Sequence, residues 1–272
     1  MDTVRDKFWI WGHEAGSHND QYGLPARSRM TPAEGAFYLG VPNILMVVYG
    51  NNPPPPFEQH AMPMRPLKRV VWSIVGDSSS KRNDSGSDLE AVLALTRKFP
   101  NVCGAIMDDF FNPVDGKGNA GRCVADDLGQ FRTRLRSGAR PLDLYVVLYT
   151  HQLHLPVKEH LKLCDVVTLW TWKASDLEAL EDNFGKLEAI APRMRKVLGC
   201  YMWDYGAGKP MPVDRMLHQC ELGLEWLQEG SIEGMIFLAS CICDLELETV
   251  EWTRRWIDQV GNQPLGPPRR GR

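Results

Sequence analysis

Eight short apolar runs recur along the chain at fairly even spacing: Phe8–Trp11, Ile44–Tyr49, Val70–Val75, Val102–Met107, Leu144–Tyr149, Val166–Trp170, Val197–Trp203 and Met235–Ala239. Most are apolar nearly throughout, as in Val70-Val71-Trp72 and Tyr145-Val146-Val147-Leu148. A strand with one wet face alternates apolar and polar residues, whereas a strand covered on both faces does not. These runs therefore predict a parallel sheet buried between layers of helix.

Helical patterns with their own start and stop signals lie between most of the runs. Thr31-Pro32-Ala33-Glu34 offers an N-cap threonine, a proline at the first helical position and an acid in the first turn, and Gly40 supplies the stop. Ser87-Asp88-Leu89-Glu90 opens a second helix that ends before Pro100. Further helices are expected over Val124–Arg136, Val157–Leu163, Ser175–Ile190, Val213–Glu229 and Leu247–Val260. In Val213–Glu229, Met216, Leu217, Cys220, Leu224 and Leu227 fall on one face. The stretch Asn51–Leu67 departs from the pattern: prolines at 53–56, 63 and 66 remove backbone donors, so a long loop is expected there.

Strands alternating with helices in this way leave a closed barrel or an open doubly wound sheet. An open sheet usually carries a glycine-rich phosphate loop after its first strand. Here the first run leads into Gly12-His13-Glu14-Ala15-Gly16, which is neither GxGxxG nor a Walker loop. Eight repeats match the (β/α)8 TIM barrel, typically of about 250 residues. The chain thus reads as one barrel domain over residues 1–260, with the proline-rich loop in place of the helix after the second strand. Residues 261–272, rich in Pro, Gly and Arg, read as a flexible tail.

Composition narrows the partners. With 31 basic and 34 acidic residues the net charge is -3, so no basic excess is present to hold a nucleic-acid backbone. No apolar stretch approaches the roughly 20 residues of a membrane helix, and the start of the chain lacks a signal-peptide pattern. The seven cysteines show no CxxC spacing and sit mostly in apolar runs, which points to reduced, buried thiols and a cytoplasmic protein.

A barrel places its chemistry at the C-terminal ends of its strands. Polar residues gather where the apolar runs stop: His13, Glu14, His18 and Asn19 after the first, Asp77 after the third, Asp108 and Asp109 after the fourth, Tyr149 and His151 after the fifth, Trp172 after the sixth, Trp203, Asp204 and Tyr205 after the seventh. The adjacent pair Asp108-Asp109 is the sharpest feature. Strand alternation points Asp108 into the barrel mouth, with Gly104 and Ile106 on the same face, and Asp109 towards the helical layer or a neighbouring loop. Asp204, beside Trp203, is the expected partner across the barrel, because glycoside cleavage uses two carboxyl groups, one of them kept protonated by its surroundings. Asp109 and Glu14 are reserve catalytic groups. His13, Asn19, Tyr149, His151, Trp172 and Trp203 are expected to shape a saccharide site, the tryptophans by stacking on sugar C–H faces. A divalent ion held by His13, Glu14, Asp108, His151 and Asp204 is an alternative, but neither HxH nor HExxH is present, so the site residues imply no metal or other cofactor.

The segment Gly104-Ala105-Ile106-Met107-Asp108-Asp109-Phe110-Phe111 resembles the fourth strand of TIM-barrel glycoside hydrolases, in which a Gly-led apolar strand ends in acids and an aromatic. The tryptophan-rich strands extend the likeness over residues 8–260. Trp11-Gly12-His13-Glu14 also resembles the opening of a bacterial barrel family with no assigned activity. The resemblance implies a carbohydrate-active barrel using carboxylates. Two patterns common among such hydrolases, Asn-Glu at strand four with Glu at strand seven, and DxxDxDxE, are absent. The competing readings are a metal-dependent sugar isomerase or hydrolase and a non-catalytic carbohydrate-binding barrel.

Overall fold

In the computed structural model, eight parallel strands close into a barrel. The strands are β1 (Phe8–Gly12), β2 (Asn43–Met46), β3 (Arg69–Val75), β4 (Val102–Met107), β5 (Asp143–Tyr149), β6 (Val166–Trp170), β7 (Arg195–Tyr201) and β8 (Gly234–Leu238), and β8 returns beside β1. The structure describes residues 2–84, 86–112, 119–138 and 140–266. The strands are buried almost throughout, as continuous apolar runs require when helices cover one face and the barrel interior the other. This is the expected (β/α)8 TIM barrel.

The helices are α1 (Pro32–Leu39), α2 (Glu58–Ala61), α3 (Ser87–Leu95), α4 (Ala125–Arg136), α5 (Lys158–Leu161), α6 (Leu180–Ile190), α7 (Val213–Glu229) and α8 (Glu248–Val260). The start of α1 follows its sequence signal. The Thr31 hydroxyl accepts from the Glu34 N–H while the Glu34 carboxylate accepts from the Thr31 N–H, and Gly40 closes the helix at φ 66°. The proline-rich connection is not wholly irregular: it holds the single turn α2 and a 3-10 turn, Met62–Met64. Prolines on either side confine helix there to one turn.

By packing, the chain groups into two units. The first comprises Met1–Ile44, Trp170–Asp182 and Lys196–Arg272. Within it β8 pairs with β1, from Phe8 opposite Met235 to Trp11 opposite Leu238, and with β7, from Gly234 opposite Val197 to Leu238 opposite Tyr201. Phe8, Phe237 and Trp256 of α8 form an aromatic layer between strand and helix. Trp170 is almost fully buried, and Gly199 of β7 makes room for it: a Cβ at position 199 would lie 2.1 Å from the indole ring. Residues near the two ends are joined by backbone bonds, with Val4 N–H donating to the Gln263 carbonyl and Leu265 N–H to that of Asp2. Residues 267–272, the rest of the expected tail, lie outside the described residues.

The second unit comprises Leu45–Leu169 and Asn183–Arg195. Here β4 pairs with β3, from Val70 opposite Val102 to Val75 opposite Met107, and with β5, from Gly104 opposite Asp143 to Met107 opposite Val146. Phe57, just before α2, packs at a tilt against Trp72 of β3 with ring centroids 5.1 Å apart, which pins the proline-rich connection to the sheet.

Candidate active site

Two clusters of side chains stand at C-terminal strand ends, one in each unit. The second unit carries the acids. Strand β3 runs into Asp77, which is buried yet richly hydrogen-bonded. Its carboxylate accepts from Gly50 N–H at 2.9 Å, Ser80 Oγ at 2.6 Å, Ser79 N–H at 3.0 Å and Ser79 Oγ at 2.5 Å. Burial pushes its pKa up, but these donors outweigh burial and hold it below the ordinary carboxylate value. The serine-rich stretch after β3 is thereby a cradle for Asp77.

Strand β4 ends at Met107, and Asp108 follows with its N–H donating to the Val75 carbonyl. Asp108 is buried, and its Oδ1 accepts from Asp109 N–H at 2.9 Å. Its pKa is raised well above the usual carboxylate value. Burial is the main cause, the charges of Asp109 and Asp77 add to it, and Arg122 and the Asp109 N–H oppose it. The Asp108 carboxyl is thus kept protonated far above the pH at which an exposed aspartate ionises.

Asp109 turns towards a neighbouring loop, one of the two directions expected for it. Its backbone enters the left-handed region at φ 42°, uncommon for a residue with a Cβ. That turn re-aims the carboxylate: Oδ1 accepts from the Tyr149 hydroxyl at 3.0 Å and Oδ2 from Ser78 N–H at 3.0 Å. Asp109 therefore does not join the helical layer but spans from the loop after β3 to the end of β5. Tyr149 in turn stacks on the exposed ring of His151, centroids 5.3 Å apart. Gln152 supports this end of β5, accepting from Tyr149 N–H and donating to the Phe111 carbonyl.

The first unit carries an aromatic cluster. Trp11 Nε1 donates to His13 Nε2 at 3.0 Å, which places the remaining proton of a neutral His13 on Nδ1. The His13 and His18 rings lie 4.8 Å apart, and His18 Nδ1 shares a 2.9 Å hydrogen bond with the Tyr205 hydroxyl. Burial, and secondarily His13, lowers the His18 pKa well below the ordinary histidine value. Burial also raises that of Tyr205 well above the usual phenol. Ring contacts continue from Tyr205 to Tyr22, Tyr201 and Trp172. Trp172 and Tyr22 are half-buried, while Trp11, Trp170, Tyr201 and Tyr205 are buried.

Other expected residues have different work. Trp203 and Asp204 are not the end of β7; they form a two-residue hairpin with Lys209 and Pro210. Trp203 is only 2% exposed, and its indole N–H donates to the Tyr22 carbonyl, so it packs and offers no stacking face. The Asp204 carboxylate accepts from Ala207 N–H at 3.1 Å, which caps the turn of that hairpin. The Asn19 side-chain amide is spent on Ser28: its oxygen accepts from the Ser28 N–H and its nitrogen donates to the Ser28 carbonyl. Glu14 is half-buried, and its carbonyl accepts from Ser17. Among the described residues no group of three His, Cys, Asp or Glu side chains is placed to hold a metal ion.

Asp77, His18 and Tyr205 are legible in the sequence as strand-end residues but carry no motif that assigns them to the site. Arg122, whose charge acts on Asp108, and Ser78, whose backbone N–H binds Asp109, are marked by no local sequence motif.

No protein-family model and no curated protein sequence matches the chain. Solved structures do. Active domain 2 of a thermostable chitinase from Pyrococcus furiosus aligns at 12% identity with a TM-score of 0.57, over 98% of this chain and 92% of that one. A GH113 β-mannanase from Alicyclobacillus acidocaldarius aligns at 10% identity and 0.54, over 96% and 98%. A xylanase-A-amylase inhibitor protein aligns at 12% identity and 0.55, over 95% and 99%. At such identities the likeness establishes the fold: this is a TIM barrel.

Proposed function

We propose that the chain is a glycoside hydrolase or a closely related carbohydrate-active enzyme in which Asp108 is the general acid and Asp109 the partner carboxylate. The observation that carries this reading is the buried Asp108 carboxyl at the end of β4, touching an Asp109 whose carboxylate is fixed by Tyr149 and Ser78. Glycosidic cleavage needs a proton on the leaving oxygen and negative charge near the oxocarbenium-like centre. Asp108 in its neutral form supplies the first, and Asp109 provides the second. The raised pKa of Asp108 keeps its proton available for transfer. Tyr149 and Ser78 N–H hold the Asp109 carboxylate in one orientation. Independently, the chitinase and mannanase neighbours act on saccharides.

The test is turnover of a panel of aryl glycosides and oligosaccharides by the wild type, Asp108→Asn and Asp109→Asn. Loss of about 10²- to 10⁴-fold in kcat/KM is expected for Asp108→Asn, the usual worth of a general acid. Undiminished turnover in both variants refutes the assignment. The inhibitor protein among the neighbours favours a second reading, a barrel that binds without turnover. It predicts saccharide binding by calorimetry with affinity unaltered in Asp108→Asn and no product from the wild type.

A further inference from the structure

We propose that the second unit carries a binding pocket for a small amphipathic anion, a carboxylate or phosphate with an apolar body, at the N-terminal ends of β5, β6 and β7. The pocket lies where those strands begin: Asp143 opens β5, Cys164 and Asp165 precede β6, and Arg195 opens β7. Its volume of about 480 Å³ is within the usual range for small-molecule sites, roughly 300–1,000 Å³.

The lining combines two chemistries. Leu161, Ile190, Ala191 and Met194 supply apolar wall from α5, from α6 and from the turn after α6. Five cations also line it, Arg132, Lys158, Lys162, Arg193 and Arg195, against only the carboxylates of Asp143 and Asp165. Both carboxylates are already engaged. Asp165 accepts from Arg132 at 3.2 Å and Arg136 at 2.7 Å, and also from Leu144 N–H, while Asp143 pairs with Arg195 at 2.6 Å. Lys162 pairs with Glu159 at 2.6 Å. Lys158 and Arg193 make no ion pair among the described residues. Arg132 Nε is buried with no hydrogen-bond partner among the described residues.

A chain of net charge -3 thus gathers a local surplus of positive charge around one concavity. Confining like charges costs Coulomb energy, which an anionic head relieves, and the apolar wall accepts the rest of the ligand. A salt bridge network built only to tie strand starts together would need neither these two cations outside its ion pairs nor the apolar wall beside them.

Calorimetric titration of the full chain with decanoate below its micelle concentration tests the proposal, with inorganic phosphate and decanol titrated separately. One saturable site for decanoate is expected, weakened by added salt, with both fragments binding far more weakly. The exposed pair Lys158→Glu with Arg193→Glu is expected to weaken decanoate by at least about tenfold. Ala191→Trp, which fills the pocket and leaves every charge in place, is expected to abolish binding, with circular dichroism verifying the fold of both variants. Absence of a saturable site for decanoate, affinity unchanged in folded double variant, or decanol binding as tightly as decanoate overturns the proposal.

Discussion

Asp108 and Asp109 are neighbours in sequence with opposite circumstances. The first is buried and receives one backbone N–H; the second is half-buried and held by a hydroxyl and an N–H from other strand ends. Each negative charge nearby makes ionisation of Asp108 harder. Removing the Asp109 charge by Asp109→Asn therefore lowers the Asp108 pKa, and the part caused by burial remains. Carbon-detected NMR titration of the Asp108 carboxyl is expected to show its midpoint at lower pH in the variant than in the wild type, yet still above that of a free aspartate. An unmoved midpoint contradicts the electrostatic coupling. The acid pair was legible in sequence because two carboxylates at the end of an apolar strand are conspicuous. Strand alternation leaves Asp109 open between the helical layer and a neighbouring loop, and the loop after β3 is the one it takes. Alternation assumes that the strand continues, whereas the backbone at 109 turns to φ 42° and re-aims the side chain.

At the scale of elements, continuous apolarity locates all eight barrel strands, and the Thr31 signal gives the start of α1, whereas α3, α4, α7 and α8 begin without a side-chain cap. The errors arose where an apolar run outlasts its strand. The run Val197–Trp203 reads as one strand, but β7 ends at Tyr201 and Trp203 starts a separate hairpin, so Trp203 and Asp204 are absorbed in packing and capping. Nothing in the local sequence distinguishes these two uses of a tryptophan; contact with Tyr22, distant along the chain, decides it. Packing between elements also gives glycines unequal roles. Gly199→Ala places a methyl group against the Trp170 ring and is expected to destabilise the fold by about 3 kcal/mol, the upper part of the range for overpacked cores. Gly185 in α6 faces open space, so Gly185→Ala is expected to stabilise by about 0.5–1 kcal/mol. Urea denaturation of the two variants checks the contrast, and a smaller loss at 199 than at 185 contradicts it.

For the whole molecule, the buried histidine links stability to pH. His18 stays neutral in the folded chain because burial and His13 disfavour its cation. The unfolded chain takes up a proton at this residue below about pH 6.5. Unfolding then binds a proton, so the stabilisation is present above that pH and is lost as pH falls towards the depressed folded value. Thermal midpoints at pH 7.5 and pH 5.0 are expected to differ less in His18→Gln than in the wild type, and equal differences assign the acid sensitivity elsewhere. The left-handed backbone at Asp109 has a further consequence for engineering. Glycine adopts that conformation without steric conflict, so Asp109→Gly relieves the backbone while it discards the carboxylate and its bonds to Tyr149 and Ser78. Folded proteins hold only about 5–15 kcal/mol in reserve, so the balance between that relief and those lost bonds decides the sign of the variant's effect on melting temperature.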